Sequence, residues 1–458
     1  MSDHLQQIHQ IHQTWQAINQ RYADDQIQRI QQKLPLAKQM DSDEELFGAD
    51  SHHYQFNPPL DMAQVEQWQR RTGVQLPQGY VQFMTQLGNG GAGPYYGIER
   101  FEDSENRYDS VALPCVLSPT MSDEEWQTLS YLAEDCSDEE YDSRENLLHQ
   151  GLFYLGTCGC TYDILLVVTG KHAGRLVYTH EWCDSPTPYQ FAYESHFLDW
   201  YERWLDEIIQ QYDTGWFGHR MGGNETTLFN LFHHEDNEKT KLSALEGLKK
   251  LPSLSEKGIE QLTRILDNEA LNVYHVKALE VLAKYSVAAS SDYLAQALES
   301  QDPAQVTRGL QLIYWYQKAD LAKFQSAILA KLAQCEHADT VSFAGYILKE
   351  LQAVKVEDFQ HLFNHADGQI AVSALYAASH DVNFSQKVAN YFEYMIADKS
   401  EVALTAIQAV ARSPELADGV DPYIVAAWEK YPLDKSDYIR NNLRLYIKKH
   451  HLQLDLAE

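Results

Sequence analysis

Four stretches of the sequence hold the residue types from which catalytic or metal sites are built. Gly88-Asn89-Gly90-Gly91-Ala92-Gly93 has glycines at the spacing of a dinucleotide-binding loop. Such a loop needs a strand leading in and a helix leading out, because the helix N-terminus receives the pyrophosphate. Here a helical period leads in, and Tyr95, Tyr96 and Ile98, which suit a strand, follow. The dinucleotide reading is therefore rejected, and Asn89, Gly90, Gly91, Gly93 and Pro94 are read as shaping the fold. His52-His53 is a pair of adjacent imidazoles; adjacent side chains on an extended chain point apart, which favours a surface loop over a metal clamp. His233-His234-Glu235-Asp236 lacks a further ligand at recognisable distance and reads as a helix end facing water. Cys158-Gly159-Cys160 is too close-set for a zinc pair and no second pair follows, so both read as ordinary thiols at a turn. A phosphate-loop lysine motif, an H-E-x-x-H helix and a G-x-S-x-G elbow are all missing from the sequence. No catalytic set, cofactor or metal is expected.

What remains is carboxylate. The chain carries 66 acidic and 36 basic side chains, a formal net charge of -30. About two-thirds of that excess lies before residue 221, where 34 acids face 13 bases. Phosphate binding requires clustered Lys and Arg, so nucleic acid is excluded as a ligand, and anionic membrane surfaces with it. Two readings stay open: an acidic surface that keeps the chain in solution, or one that steers a cationic protein partner. The acids concentrate in two places. One is the segment from Glu99 to Asp109, with Glu102, Asp103 and Glu105. The other is Glu134 to Asp142, with six carboxylates in nine residues, among them Asp135, Asp138, Glu139, Glu140 and Asp142. The second stretch reads either as a mobile, solvated insertion or as an arm that covers a basic surface. It lacks the alternating ligands and central glycine of a calcium loop. Tyr95 and Tyr96 are candidate aromatic anchors for the same partner, or else core.

These residues must be positioned by elements. Met62, Val65, Trp68 and Gln69 recur at three and four, predicting a helix that Gly73 ends. Pro77 starts a second helix, along which Tyr80, Phe83, Met84 and Leu87 repeat the period. The glycine-rich turn follows. In this order, the acidic helix with Glu66, Gly73 with Leu76-Pro77, Tyr80 and Phe83, Asn89-Gly90-Gly91 and Gly93-Pro94-Tyr95-Tyr96-Gly97 resemble the SUKH superfamily, the Smi/Knr-type domain of bacterial immunity proteins and fungal regulators. The resemblance covers roughly residues 55 to 212. It implies an α+β domain with a mostly antiparallel sheet and a binding function, most often neutralisation of a toxin. Joined to the charge, it points to a non-enzymatic immunity protein that covers the active site of a basic, nuclease-type toxin, since an acidic face can occupy a site evolved for phosphate.

The remaining elements follow from pattern. Ile8, Ile11, Trp15, Ile18 and Tyr22 form one helical seam in residues 1 to 40, read as docking on the next domain, with a dimer contact as the alternative. Residues 41 to 50 form an acidic connection. Ser122 and Glu125 form a capping box ahead of Trp126 and Leu129. Leu152–Leu155, Ile164–Val168 and Leu176–Tyr178 predict strands, the last two joined by a hairpin over Thr169–Gly174. The glycine before each strand also fits the later half of SUKH domains. A broad apolar face from Phe197 to Tyr212 predicts a closing helix whose aromatics pack across the sheet.

Gly215 to Asn224 reads as a linker, giving domains at 51–214 and 225–458. After it, polar turn residues followed by apolar periods recur from 238, 270, 302, 338, 368, 401 and 436, roughly 30 to 36 residues apart, the span of a two-helix repeat. These resemble HEAT-like repeats, and stacking into an all-α solenoid is expected. A second functional reading is an intracellular adaptor working through that array. The opening MSDHLQQIHQ has neither a basic start nor an apolar core, so it does not read as a secretory signal. With six cysteines, this suits a cytoplasmic setting. No run of about eighteen apolar residues predicts a membrane span.

Overall fold

The computed structural model describes residues 2–132, 136–179, 189–431, 437–454 and 456. Two compact units divide it, Met1–Leu254 and Ser255–Glu458. In the first, α1 (Ser2–Arg21) and α2 (Gln26–Met40) replace the single seam helix, because Asp25 caps a new helix by accepting from the Gln28 N–H. Ile11, Ile18, Ile30 and Leu34 are buried in the main core of this unit, as a docked helix requires. The short α3 (Ala49–His52) and α4 (Met62–Thr72) follow. On α4, Val65 and Trp68 are buried, Met62 is exposed, and Gly73 caps the end with φ 75°. Then α5 (Gln78–Gln82) runs into a π-turn, Phe83–Leu87, which buries Phe83, Met84 and Leu87 together.

After α6 (Phe101–Ser104), α7 (Asp123–Ser130) and α8 (Asp138–Leu148) comes an antiparallel meander of β1 (Leu152–Gly159), β2 (Tyr162–Val167), β3 (Leu176–Thr179) and β4 (Tyr189–Phe191). Leu152 pairs with Val167 and Leu165 with Val177. Both sheet faces are buried. Phe153, Leu155, Ile164, Leu166 and Tyr178 face the main core; Leu152, Tyr154, Leu165, Val167 and Val177 face a second core with Trp126 of α7 and Leu148 of α8. This two-sided burial explains the near-continuous apolar runs. β4 was not expected; three residues carry no periodic signal.

The closing helix α9 (Phe197–Ile209) lies against the main core, with Trp200 donating to the Tyr178 hydroxyl at 2.7 Å and Tyr201 to the Ala92 carbonyl at 2.7 Å. Two of its carboxylates, Glu202 and Glu207, are buried too. Glu202 meets Lys33 of α2 at 2.6 Å and Arg29 at 2.6 Å; Glu207 meets Arg203 at 2.8 Å and Lys250 at 2.6 Å. Burial alone would raise the Glu202 pKa, but Arg29 and Lys33 hold it below the usual carboxylate range.

The expected linker is corrected. Within Gly215–Asn224, Phe217 is 2% exposed and its carbonyl accepts from the Tyr95 hydroxyl, while the Arg220 carbonyl accepts from Arg203. The aromatic anchor outweighs the flexibility of the surrounding glycines. α10 (Glu225–His234) and α11 (Glu238–Leu248) therefore belong to the first unit, and the division falls after Leu254.

The second unit is all helical: α12 (Glu256–Leu266), α13 (Asn272–Tyr285), α14 (Val287–Glu299), α15 (Pro303–Tyr316), α16 (Gln325–Leu332), α17 (Ala338–Glu350), α18 (Val356–Phe359), α19 (Gly368–Ala378), α20 (Phe384–Lys387), α21 (Ser400–Arg412), α22 (Asp421–Lys430) and α23 (Asp437–His450), with short 3₁₀ turns between. α13, α15, α17, α19, α21 and α23 each pack on the next. The helices between them form the second layer, so an apolar stripe on each inner helix is covered from two sides. No described helix is long and apolar enough to cross a membrane.

Candidate partner-binding surface

The glycine-rich turn is a crossing of three chain segments. Gly91 bridges Phe56 on one side and Ile98 on the other. A side chain at Gly91 would begin 2.3 Å from the Gln55 carbonyl oxygen, and φ there is 104°. Asn89 is 8% exposed; its side-chain oxygen accepts from the Phe101 N–H at 2.8 Å and its nitrogen donates to Glu102 at 2.7 Å. Asn89, Gly90 and Gly91 thus sit in the backbone crossing, and Gly93 and Pro94 follow it directly in the chain. The expected strand at Tyr95–Ile98 does not form. Tyr95 takes φ 57°, Gly97 φ 95°, and only Ile98 makes a bridge.

The acids divide between the two sides of the sheet. Phe101 of α6 packs on Trp68 and Phe153 in the main core, so Glu102, Asp103 and Glu105 belong to that side. Glu102 accepts from Asn89 and from its own backbone N–H, and both lower its pKa. Glu105 pairs with Arg71 at 2.7 Å. Asp103 is exposed. Asp138, Glu139, Glu140 and Asp142 lie on α8, which is anchored through Leu148 to the second core.

From Asp138 on the stretch is a helix, not a mobile insertion: Ser137 accepts from the Glu140 N–H and Glu140 accepts from the Ser137 N–H, a complete capping box. Like charges crowded into a first turn are stabilised there by the exposed N–H groups of the helix end. The Glu140 pKa falls for that reason, through its bond to the Ser137 backbone. α7 repeats the design, with Ser122 and Glu125 as the box and Asp123 and Glu124 beside them. All these carboxylates are exposed. Arg144, the one base on α8, turns inward to the Thr128 and Leu129 carbonyls. Asp135 lies outside the described residues.

A sheet with an acidic helix pair on one face, a glycine crossing on the other and an aromatic closing helix has a counterpart among known families. Residues 59–203 match the SMI1 / KNR4 family (SUKH-1). The match covers the antiparallel sheet, both acidic helices and most of α9. SUKH-1 domains are associated with immunity proteins and are generally non-enzymatic. No curated protein matches the chain.

Within the first unit the two tyrosines part company. Tyr95 is half-buried against the core, and its hydroxyl donates to the Phe217 carbonyl at 2.9 Å, so it holds the fold. Tyr96 is 42% exposed and rests on Phe47, itself 58% exposed, with ring centroids 5.2 Å apart. Phe47 carries no signal in the sequence because it sits alone inside the acidic connection. His52 is buried, unlike the surface loop expected for the His52-His53 pair. It is 8% exposed, edge-on to Tyr54 and Trp204, and its Nδ1 accepts from the Tyr54 N–H at 3.0 Å. Only His53 stands outside, paired with Glu44 at 2.6 Å. Cys158 and Cys160 are free thiols, with burial raising the pKa of Cys158. His233 and His234 are exposed at the end of α10, where His233 packs edge-on against Phe232.

Proposed function

We propose that the protein is a non-enzymatic, cytoplasmic binding protein of the immunity type, whose first unit neutralises a basic, nuclease-type toxin by covering its cationic active site. The observation that carries this reading is the SUKH-1 match over a region that displays two acidic helices to solvent, their one intervening arginine turned inward. Carboxylates on rigid, capped helices meet a basic surface without a large ordering cost. Asp138, Glu139 and Asp142, with Asp123 and Glu124, form the main contact surface. Asp103 and Tyr96 belong to the other side of the sheet and serve a partner that reaches around its edge.

The experiment is recovery of the tagged chain from its native cell, elution with a salt gradient, and assay of the recovered partner's nuclease activity with and without this protein. A basic partner that leaves as salt rises and is inhibited stoichiometrically is the expected result. The D138K/E139K/D142K variant should bind it at least about tenfold more weakly and with a shallower salt dependence. Equal binding by the variant would remove α8 from the interface.

A second reading is favoured by one feature of the HEAT-like second unit. Trp315, Tyr346 and Tyr376 stand 45%, 37% and 38% exposed on α15, α17 and α19, successive helices of one layer. An adaptor would use such a row for docking. A partner whose binding is abolished by W315A/Y346A and untouched by the α8 charge reversal would move the function there.

A further inference from the structure

A cavity of about 190 Å³ opens in the first unit beside the Gly93-Pro94-Tyr95 turn. Tyr54 and Trp204 stack nearly parallel, centroids 6.0 Å apart and 6° between planes, and Tyr95, Tyr212 and Phe217 line the cavity with them, among aliphatic and polar neighbours. Phe47 stands at the mouth beside Gly48, which has φ 83° and packs so closely that a side chain there would begin 2.3 Å from the Tyr95 carbonyl oxygen.

The charge around the mouth is accounted for residue by residue. Asp41 accepts from the Tyr54 hydroxyl at 2.6 Å and from the Glu45 N–H at 2.8 Å. Glu44 is paired with His53, and Asp213 with Arg220 at 2.8 Å. Glu45 lines the cavity, is exposed, and has no ion pair among the described residues. His52, also in the lining, has both ring nitrogens engaged, Nδ1 by the Tyr54 N–H and the other toward the Gly93 carbonyl, and burial keeps it uncharged at neutral pH. The cavity therefore offers aromatic rings and the exposed Glu45 carboxylate, while the nearest cations, Arg203, Arg220 and Lys250, are each held by a carboxylate of the fold.

Aromatic faces attract a desolvated cation through the ring quadrupole, and an apolar wall suits an aliphatic stem. The fold already uses this contact where the Arg203 guanidinium lies 4.8 Å from the Phe217 ring centroid. We propose that the cavity takes one lysine or arginine side chain of a protein partner, with Glu45 meeting its charge and Phe47 closing over its stem. The proposal deepens the reading of the first unit as a binder of basic proteins, and rests on it for the identity of the ligand's owner.

The test has two arms. In the first, Nα-acetyl-lysine methylamide and Nα-acetyl-arginine methylamide are titrated into the full chain, and the Trp204 indole N–H resonance, assigned with Trp204→Phe, is followed. A saturable shift in the millimolar range is expected with both, and none with the uncharged norleucine analogue. Phe47→Ala should abolish the shift and Glu45→Gln should weaken it several-fold. Both positions are exposed, so unchanged thermal melting will verify the fold. Equal shifts with norleucine, or no saturation with either cation, overturn the proposal.

In the second arm, affinity for the recovered basic partner is compared between wild type and Glu45→Gln. A loss of about tenfold supports the pocket as a partner site. Unchanged affinity overturns that use of the pocket while the immunity reading stands. If no basic partner binds at all but the lysine probe still titrates, the immunity reading falls and the cation site remains.

Discussion

His52 is a buried imidazole that must stay neutral to accept from the Tyr54 N–H, and burial lowers its pKa to about 4 from 6.5. Because the folded value lies below the unfolded one, the stability this group contributes is complete above about pH 6.5 and is lost as pH falls toward 4. Urea midpoints should therefore drop over that interval, and the drop should be smaller in His52→Phe; a parallel decline in both would assign it to other groups. Lys33 makes the opposite demand. It is 1% exposed and lies 2.6 Å from Glu202 and 2.7 Å from Asp206. Lys33→Met leaves Asp206 without its cation in a setting where burial already raises its pKa. Breaking a buried pair from one side should cost about 3 kcal/mol of unfolding free energy. The double change with Asp206→Asn should recover much of it, because the uncompensated charge goes as well while Glu202 keeps Arg29.

The helices of the second unit depend on close approach. A side chain built at Gly345 of α17 would begin 2.5 Å from Cβ of Ala377 on α19. Gly345→Leu must push these two helices apart, and a loss of about 1–3 kcal/mol in chemical denaturation is expected. Ala377→Gly in the same chain should restore part of it. An unchanged denaturation curve would mean that the two helices are not held at this separation.

Across the whole chain, the net charge of -30 sets a self-repulsion that salt screens. The melting temperature should rise between about 20 and 300 mM sodium chloride, since exposed carboxylates outnumber the ion pairs that salt would weaken. A fall would put the ion pairs in control.

Much of the fold was legible because its signals are local. The inner helices of the second unit begin at 272, 303, 338, 368, 400 and 437, each within two residues of an apolar period read from the sequence. The three long strands were legible for the same reason. What escaped depends on contacts remote in sequence. The burial of Lys33, Glu202 and Glu207 depends on partners from distant segments, which no local pattern shows. Tyr95 reads as a strand residue until the crossing at Gly91 forces it to positive φ. Of the candidate site, the acids were legible from composition alone. The capping box that starts α7 was legible from Ser122 and Glu125, whereas Phe47 at the mouth of a cavity depends on contacts remote in sequence.

Three polar links in the second unit reach one helix pair ahead: Thr307 to Thr340, Ser342 to Ser373 and Ser379 to Arg412, with separations of 33, 31 and 33 residues. Each pair needs a neighbour with the same face, but not a particular neighbour. Removing one whole pair would bring together two surfaces that already match, whereas removing half a pair would oppose unlike ones. Evolutionary change in the length of this half of the chain should therefore come in steps of about one repeat, and insertions of intermediate size should sit in the turns between helices.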